Sequence, residues 1–426
     1  MNLRPYGSTS VLILAGGRGE RLDLLTRLRA KPAVPFGGGF RIIDFVLSNC
    51  FHAGLGEVYI ITQYLPRSLE DHVGFGRAWD LDRLSAGLNY LHPFRGLERS
   101  NWYGGTANAL YENLAYLEES TADHFLILGG DHIYRMDYRD LLARHEQSMA
   151  QVTVGVRPVP LDQAHHFGIF EPDERGQARS FEEKPEAPRS NLASMGIYAV
   201  RRQFLLEALR ERGPEEPTLD FGRDLVPQWV SQGVLGLYHF DGYWLDVGTL
   251  DSYFRAHRDL LGDEPVFPLD AEEWPILSRT PPWAPLHLAD TARVGDSLVC
   301  EGCRVRGSVT GSVLGPGVLV EEGAEVVDAI VMENAVVGAG SRVERSILDK
   351  RAVVGAGCRV GGAGAGEPNA ERPQHLNSGL TLLGKDSRVP AGMVLGRNVR
   401  WSVTREEDLA GRFADGVVPD GSSILS

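Results

Sequence analysis

Over roughly the first 260 residues, short apolar runs alternate with segments whose apolar positions recur every three or four residues. Runs at 11–14, 57–61, 125–128, 152–156 and 192–198 predict strands, and 107–119, 139–149 and 202–212 predict helices. This alternation is expected of an α/β sheet with crossover helices. Ligands of such sheets bind beyond the carboxyl ends of the strands, and Gly16, Gln63 and Asp131 each stand just after a predicted strand. The period changes after Leu261. Prolines at 265, 268, 275, 281, 282 and 285 predict an extended connector. Beyond it apolar residues recur at Val320, Val326 and Met332, then at Val337 and Val343, then at Leu348, Val354 and Val360, with small residues such as Gly323, Gly338 and Gly355 between them. Steps of six with small turn residues predict a parallel β-helix whose stacked coils bury one apolar core, against the ordinary alternative of a β-sandwich. The run G-G-A-G-A-G-E-P-N-A-E-R-P predicts a flexible excursion near 361–376, and the sixfold pattern resumes over 379–398. The expected organisation is therefore a first domain over 1–262, a connector over 263–290 and a repeat domain over 291–426.

The stretch V-L-I-L-A-G-G-R-G-E-R-L at 11–22 carries the first chemical signal. Gly16, Gly17 and Gly19 let backbone N–H groups approach a ligand, and Arg18 and Arg21 add charge and forked donors, which together suit a polyphosphate. The loop lacks the G-K-[ST] of a Walker A and the G-x-G-x-x-G of a dinucleotide fold. Taken alone it could be an ordinary glycine turn. A second segment, K-P-A-V-P-F-G-G-G-F-R-I-I-D-F-V-L-S-N at 31–49, places a lysine beside a rigid proline and a further glycine cluster.

Together these segments resemble the opening of the sugar nucleotidyltransferases, and R-I-I-D-F-x-L-S-N narrows the resemblance to glucose-1-phosphate adenylyltransferases of bacterial type. Further segments match that family in order: I-T-Q-Y at 61–64, N-W-Y-G-G-T-A at 101–107, G-D-H-I-Y at 130–134, E-K-P at 183–185, S-M-G-I-Y at 194–198, D-F-G-x-D at 220–224 and Y-W-x-D-V-G-T at 243–249. The resemblance implies a Rossmann-like nucleotidyltransferase domain with a mixed, mostly parallel sheet, followed by a left-handed parallel β-helix. It also implies a magnesium-dependent homotetramer that makes ADP-glucose and pyrophosphate from ATP and glucose 1-phosphate, feeding glycogen and related α-glucans.

Composition narrows the partners. The chain has 426 residues, 43% of them hydrophobic and 23% charged, enough for two domains. A net charge of -14 argues against a nucleic-acid partner. Lacking an apolar stretch of about 20 residues or a signal-like start, the chain is expected to be cytoplasmic, without a membrane partner. Four cysteines read as reduced thiols, and the C-x-x-C of Cys300 and Cys303 has too few neighbouring ligands for a structural zinc.

Joining a sugar phosphate to a nucleoside triphosphate brings two anions together, so a site for it must screen charge and fix an in-line attack. Magnesium takes one or two carboxylates plus ligand oxygens and water. Asp131 and Asp246, which in isolation could be a turn cap and a surface acid, match the family's metal-binding aspartates. Arg18 and Lys31 would meet the triphosphate, and Lys184 the phosphate of the hexose. The family match further assigns glucose 1-phosphate to Tyr103, Gly168, Glu183, Lys184 and Ser194, and ATP to Gly16, Gly17, Arg18, Lys31, Gln63, Gly105 and Thr106. Trp102 could stack on a ligand or merely pack. No general base is demanded, because the attacking phosphate oxygen is already ionised, so His132 need not act.

The chain departs from the family in two places. Glu20 puts a negative charge in the glycine loop and must point away or pair with Arg18 or Arg21. Leu28 stands where some bacterial relatives carry an activator-binding lysine, which leaves Arg27, Arg29 and Lys385 as candidates for an allosteric phosphate site of unidentified ligand. Hexapeptide acyltransferases would want a histidine in the coils, and 291–400 holds only His375. A non-catalytic regulatory subunit would be expected to have lost Asp131, Lys31 or Lys184, and all three are present.

Overall fold

The first apolar run forms the strand Thr9–Leu14 in the computed structural model of the chain, which describes residues 7–84, 86–93, 103–148, 150–173, 177–405, 409, 413 and 415–425. Two compact units are present: Met1–Gly17 with Phe45–Trp244, and Arg18–Asp44 with Leu245–Ser426.

The first unit is built on a nine-stranded sheet. Thr9–Leu14 lies parallel between Glu57–Ile61 and His124–Gly129, and Gly87–Leu91 extends the parallel part. Leu192–Arg201 turns the order antiparallel against His124–Gly129, and Val152–Pro158 and Gly168–Pro172 pair with it in turn. The remaining strands are Ala178–Glu183 and Leu235–His239. The expected strands are all there, Glu57–Ile61 with the expected bounds and the other four extended by two or three residues, because ladder hydrogen bonds continue past the apolar run that signals a strand. Central positions such as Leu12, Phe125, Ile127, Val154 and Val200 share one core with Leu205, Leu209 and Trp229 from the covering helices.

Of the expected helices, 202–212 is found at Arg202–Arg212. The expected 139–149 appears as Tyr138–Ser148, with Met149 outside the described residues. The single helix expected over 107–119 is two, Thr106–Glu112 and Leu114–Glu119. Asn113 breaks it at φ -106° and ψ 17°, its amide donating to Ala109 O at 2.8 Å and to Tyr103 Oη at 2.8 Å. An asparagine offers the backbone a local partner that competes with the helical ladder.

In the second unit, residues from His287 onward wind into coils whose short strands stack as three parallel sheets of six, seven and seven strands. Successive rungs align residue on residue, as in Val320 on Val337 and Val337 on Val354. All eight apolar positions that set the sixfold pattern are at most 2% exposed, so the repeat is the core of a parallel β-helix. The first rung, His287–Leu288, falls inside the stretch expected as connector.

The segment 361–376 departs from the expectation of a flexible excursion. Asn369, fully buried, donates to Asn398 O and Gly421 O at 3.0 Å and accepts from the backbone of Glu371 and Arg372. Asn398, also buried, donates to Ala365 O at 2.6 Å and Glu367 O at 2.8 Å. Two asparagines thus satisfy the backbone of a loop too polar to pack by itself.

A pair of histidines in the first unit makes stability depend on pH. His145 is fully buried, its Nδ1 2.8 Å from Thr153 Oγ1 and its ring 5.1 Å from that of His124. Burial, then the neighbouring His124 and Arg201, depress its pKa to about 3, and burial also lowers that of His124 despite Glu146. Both rings fold neutral, so the stabilisation is complete above the unfolded value of 6.5 and is lost as pH falls below it. The unfolding free energy from urea titrations of the wild-type chain should therefore fall between pH 7 and pH 5, His145 contributing a slope that approaches about 1.4 kcal/mol per pH unit. In His145→Gln that fall should be distinctly smaller, since the ring with the strongly depressed pKa is gone.

Candidate active site

The run of small residues after Thr9–Leu14 leads directly into the segment 18–44 of the second unit. Arg18 Nη1 lies 3.4 Å from Glu20 Oε1, so the unexpected acid of the glycine loop is paired with its neighbouring arginine. Gly19 adopts φ 63°, and a Cβ there would stand 3.0 Å from both Lys31 Cβ and Thr26 Cγ2, which explains glycine at that position. Lys31 opens the short 3-10 turn Lys31–Ala33, with Pro32 fixing its second residue. Its side chain is 7% exposed, and Nζ lies 2.8 Å from Asp246 Oδ1, itself 19% exposed. The Arg21 guanidinium reaches the same neighbourhood, beside Gly248. A nearly buried ammonium, a carboxylate and a second cation thus meet on one loop system, where charge–charge attraction is little screened.

Helix Leu250–Arg258 supports this loop system from below. Tyr253 Oη donates to Pro35 O, and Gly37 N donates to His257 Nε2 at 3.2 Å. Burial depresses the His257 pKa to about 4, so the ring is neutral, and Nδ1 donating to Tyr253 O at 2.9 Å leaves Nε2 as the acceptor. Neither Tyr253 nor His257 belongs to a motif that the sequence reading singled out. The only signal is their i, i+4 spacing on a helix that follows Y-W-L-D-V-G-T.

The other residues predicted to meet ATP, the sugar phosphate or the metal belong to the first unit. Gln63 lies beside Gly16, and its Nε2 donates to Tyr103 O at 3.2 Å. Tyr103 is half-buried, and burial raises its phenol pKa, so the hydroxyl stays protonated and available to a ligand or to Asn113. Gly105 precedes helix Thr106–Glu112, and a Cβ on it would reach within 2.3 Å of Leu219 O. Thr106 Oγ1 donates to Asp220 Oδ2 at 2.9 Å and accepts from Phe221 N at 3.0 Å. Asp220 also caps the short π-helical turn Phe221–Leu225 through Gly222 N and Arg223 N. This role of Asp220 was legible as an N-cap aspartate in D-F-G-x-D, although the motif was quoted without assigning it one.

Glu183 ends the strand Ala178–Glu183 and pairs at 3.1 Å with Lys184 just beyond it, with Gly168 and Gly222 packed against the Glu183 carboxylate. Lys184 takes φ 50° and is 61% exposed, which presents its ammonium to solvent from a turn. Ser194 Oγ sits 3.4 Å from Tyr198 Oη, whose pKa burial raises to about 12. Asp131 follows His124–Gly129, 35% exposed and 3.5 Å from the adjacent His132 Nε2. Gln63 and Tyr103 are thus linked directly, while Thr106, Glu183 and Ser194 each hold a polar partner of their own within this unit. Asn101 and Trp102 lie outside the described residues.

One of the candidate effector-binding cations is buried. Arg29, expected among the cations open to a soluble phosphate, is 3% exposed, and its Nη2 donates to both carboxylate oxygens of Asp349 at 2.9 Å. This buried pair removes the guanidinium from bulk solvent. Arg27 is exposed, with Nη1 3.4 Å from Ser402 Oγ, and Lys385 is half-buried. Sequence reading missed Lys350, whose Nζ lies 2.5 Å from Glu333 Oε2. Its pKa is lowered by burial and by Arg41, partly offset by Glu333, with Arg29 adding to the lowering.

Comparisons with known proteins agree with this picture. The family model described as nucleotidyl transferase matches residues 10–262, and that described as GlmU-like, C-terminal hexapeptide matches 287–383. The chain is 47% identical to the glucose-1-phosphate adenylyltransferase of Thermomicrobium roseum, over 97% of both chains. It is 42% identical to that of Acetivibrio thermocellus over 91% of both, and 48% identical to that of Bacillus anthracis over 76% of this chain and 87% of the relative.

The Asp220 hub yields a prediction. Asp220→Ala uncaps the turn Phe221–Leu225 and should cost about 1–2 kcal/mol in a denaturant titration. Asp220→Asn, which keeps an acceptor, should lose less than half of that.

Proposed function

We propose, because the chain belongs to the nucleotidyl transferase family and within it to the glucose-1-phosphate adenylyltransferases, that it transfers the adenylyl group of ATP to α-D-glucose 1-phosphate. A phosphate oxygen of the sugar attacks the α-phosphorus, forming one P–O bond. The bond from that phosphorus to the bridging oxygen breaks, and pyrophosphate leaves with the electron pair. The products are ADP-glucose, a glucosyl donor for α-glucan synthesis, and pyrophosphate.

The observation that supports this reading most is the Lys31–Asp246 pair, an ammonium with only 7% exposure held 2.8 Å from a carboxylate beside the glycine loop. Lys31 and Arg18 would take up charge that grows on the β- and γ-phosphates as pyrophosphate separates, where a preformed cation costs no reorganisation. Gly16 and Gly17 would leave the loop backbone open to the phosphates, while Gln63, Gly105 and Thr106 would line the nucleoside. Tyr103, Gly168, Glu183, Lys184 and Ser194 would hold the hexose phosphate, with the exposed Lys184 ammonium neutralising its charge and Glu183 accepting from sugar hydroxyls. The attacking oxygen is ionised at neutral pH, so no residue needs to take its proton.

Enzymes of this type use a divalent metal, and the proposed ion is Mg2+. Asp131 and Asp246 offer hard oxygen donors without a competing thiolate, the donor class that magnesium prefers. When bound, such an ion supplies charge neutralisation between the phosphates. We further propose the division at 1–262, 263–290 and 291–426; the matched span 10–262 supports its first boundary, whereas the hexapeptide match and the first rung begin at 287, inside the connector. A homotetrameric, cytoplasmic enzyme governed by a phosphorylated effector completes the reading. Arg27 and Lys385 would contact that effector, with Lys350 beside the Arg29–Asp349 pair.

Pyrophosphate release with magnesium and glucose 1-phosphate, offered ATP, UTP, dTTP and GTP separately, should strongly favour ATP. No turnover with any nucleotide would point instead to a regulatory subunit. Asp131→Ala should lower kcat by at least about 100-fold while ATP still binds in calorimetry. Lys184→Ala should raise the KM for glucose 1-phosphate by roughly tenfold or more with a smaller change in kcat, and an unchanged KM would remove Lys184 from the sugar-phosphate site.

A further inference from the structure

The segment following the glycine loop contains a residue in a conformation that its side chain does not favour. Glu20–Thr26 is a pair of 3-10 turns broken at Asp23, which takes φ 50° and ψ -121°. That region is open to glycine and costs other residues about 1–3 kcal/mol. The Asp23 side chain is only 3% exposed, and it accepts from Arg400 Nε at 2.9 Å. Arg400, in the strand Arg400–Ser402 of the β-helix, is itself 8% exposed at its side chain. Its Nη1 donates to Glu371 Oε2 at 2.6 Å and to Ser423 Oγ at 3.3 Å, so the guanidinium is anchored from its far side as well.

From Asp23 a short chain of contacts leads to the proposed triphosphate loop. Thr26 Oγ1 donates to Asp23 O at 3.2 Å and to Gly19 O at 2.9 Å. Leu22 N donates to the same Gly19 carbonyl at 2.9 Å. Gly19 packs on the Lys31 side chain, and Lys31 reaches Asp246. Sequence offers no pointer to this arrangement, because Asp23 and Arg400 stand 377 positions apart in unremarked stretches.

We propose that Arg400 is a positioning residue for adenylyl transfer: by holding the Asp23 carboxylate it keeps the kinked segment, and with it Gly19 and Lys31, in the geometry that receives the triphosphate. The inference rests on the reading of that loop as the ATP site. Removing the guanidinium leaves a buried carboxylate unpaired on a strained residue, so the segment relaxes toward solvent and takes Lys31 out of register. Glycine at position 23 relieves both problems, since it carries no charge and adopts this φ and ψ freely.

The test is steady-state pyrophosphate release by the full-length wild type, Arg400→Ala, Asp23→Gly and the double variant, with circular dichroism to check folding. Arg400→Ala should lower kcat by about tenfold or more while the KM for glucose 1-phosphate changes less than about twofold. The double variant should recover to within roughly threefold of wild type, an effect that a purely structural role of Arg400 in the coils would not produce. Should Arg400→Ala fail to fold, Arg400→Lys with and without Asp23→Gly reads the same coupling. A near-normal kcat in the Arg400 variant, or a folded double variant as impaired as the single one, overturns the proposal. A wild-type chain that does not turn over ATP overturns the functional reading instead, and the two failures are thereby separate.

Discussion

The arrangement of the loop system depends on burying charge in pairs. Residues 18–44 contribute no strand to the nine-stranded sheet. Two of their charged side chains, Asp23 and Arg29, are nevertheless almost wholly removed from water, each against an opposite charge from the β-helix. Burying one such group alone would cost several kcal/mol, whereas in pairs the cost is largely offset and the geometry becomes specific. Apolar packing between Phe36, Tyr253 and His257 then fills the space around these fixed points. The hexapeptide coils are thus the surface on which the loop carrying Lys31 is set.

This reliance on fixed cations suits the chemistry. A transferred adenylyl group needs little covalent help, and what limits the rate is the assembly of negative charge in one place. A lysine already desolvated and paired before ATP arrives is preorganised, and its interaction with phosphate is stronger than that of a solvated surface lysine. Lys184 contrasts with it. At 61% exposure, beside the Glu183 carboxylate, it remains largely in contact with water.

Legibility in the sequence followed the range of the interaction. The strands and coils were readable because apolar period and turn residues are local properties, and residues 57–61 and 202–212 needed no adjustment. The break at Asn113 was missed because a side-chain amide replaced the helical ladder. The excursion looked flexible because its composition is that of a linker, and the two asparagines that tie it down satisfy backbone groups far from them in sequence. At the site, motif residues stood out through glycine and charge patterns. Arg400, Asp349 and His257 did not, since each derives its role from a partner that spacing does not reveal.

The same long separations bear on how the molecule is made. Asp23 and Arg29 find their partners 377 and 320 residues further along the chain. Contacts so distant in sequence close late, after loop-closure entropy has been overcome by coils already stacked. On the ribosome the segment bearing Lys31 emerges among the first residues, yet it must wait for nearly the whole polypeptide before its charges are neutralised. Until then it is a polar, solvated strand end, and a nascent chain that stops short of the final coils would carry the glycine loop without the scaffold that shapes it.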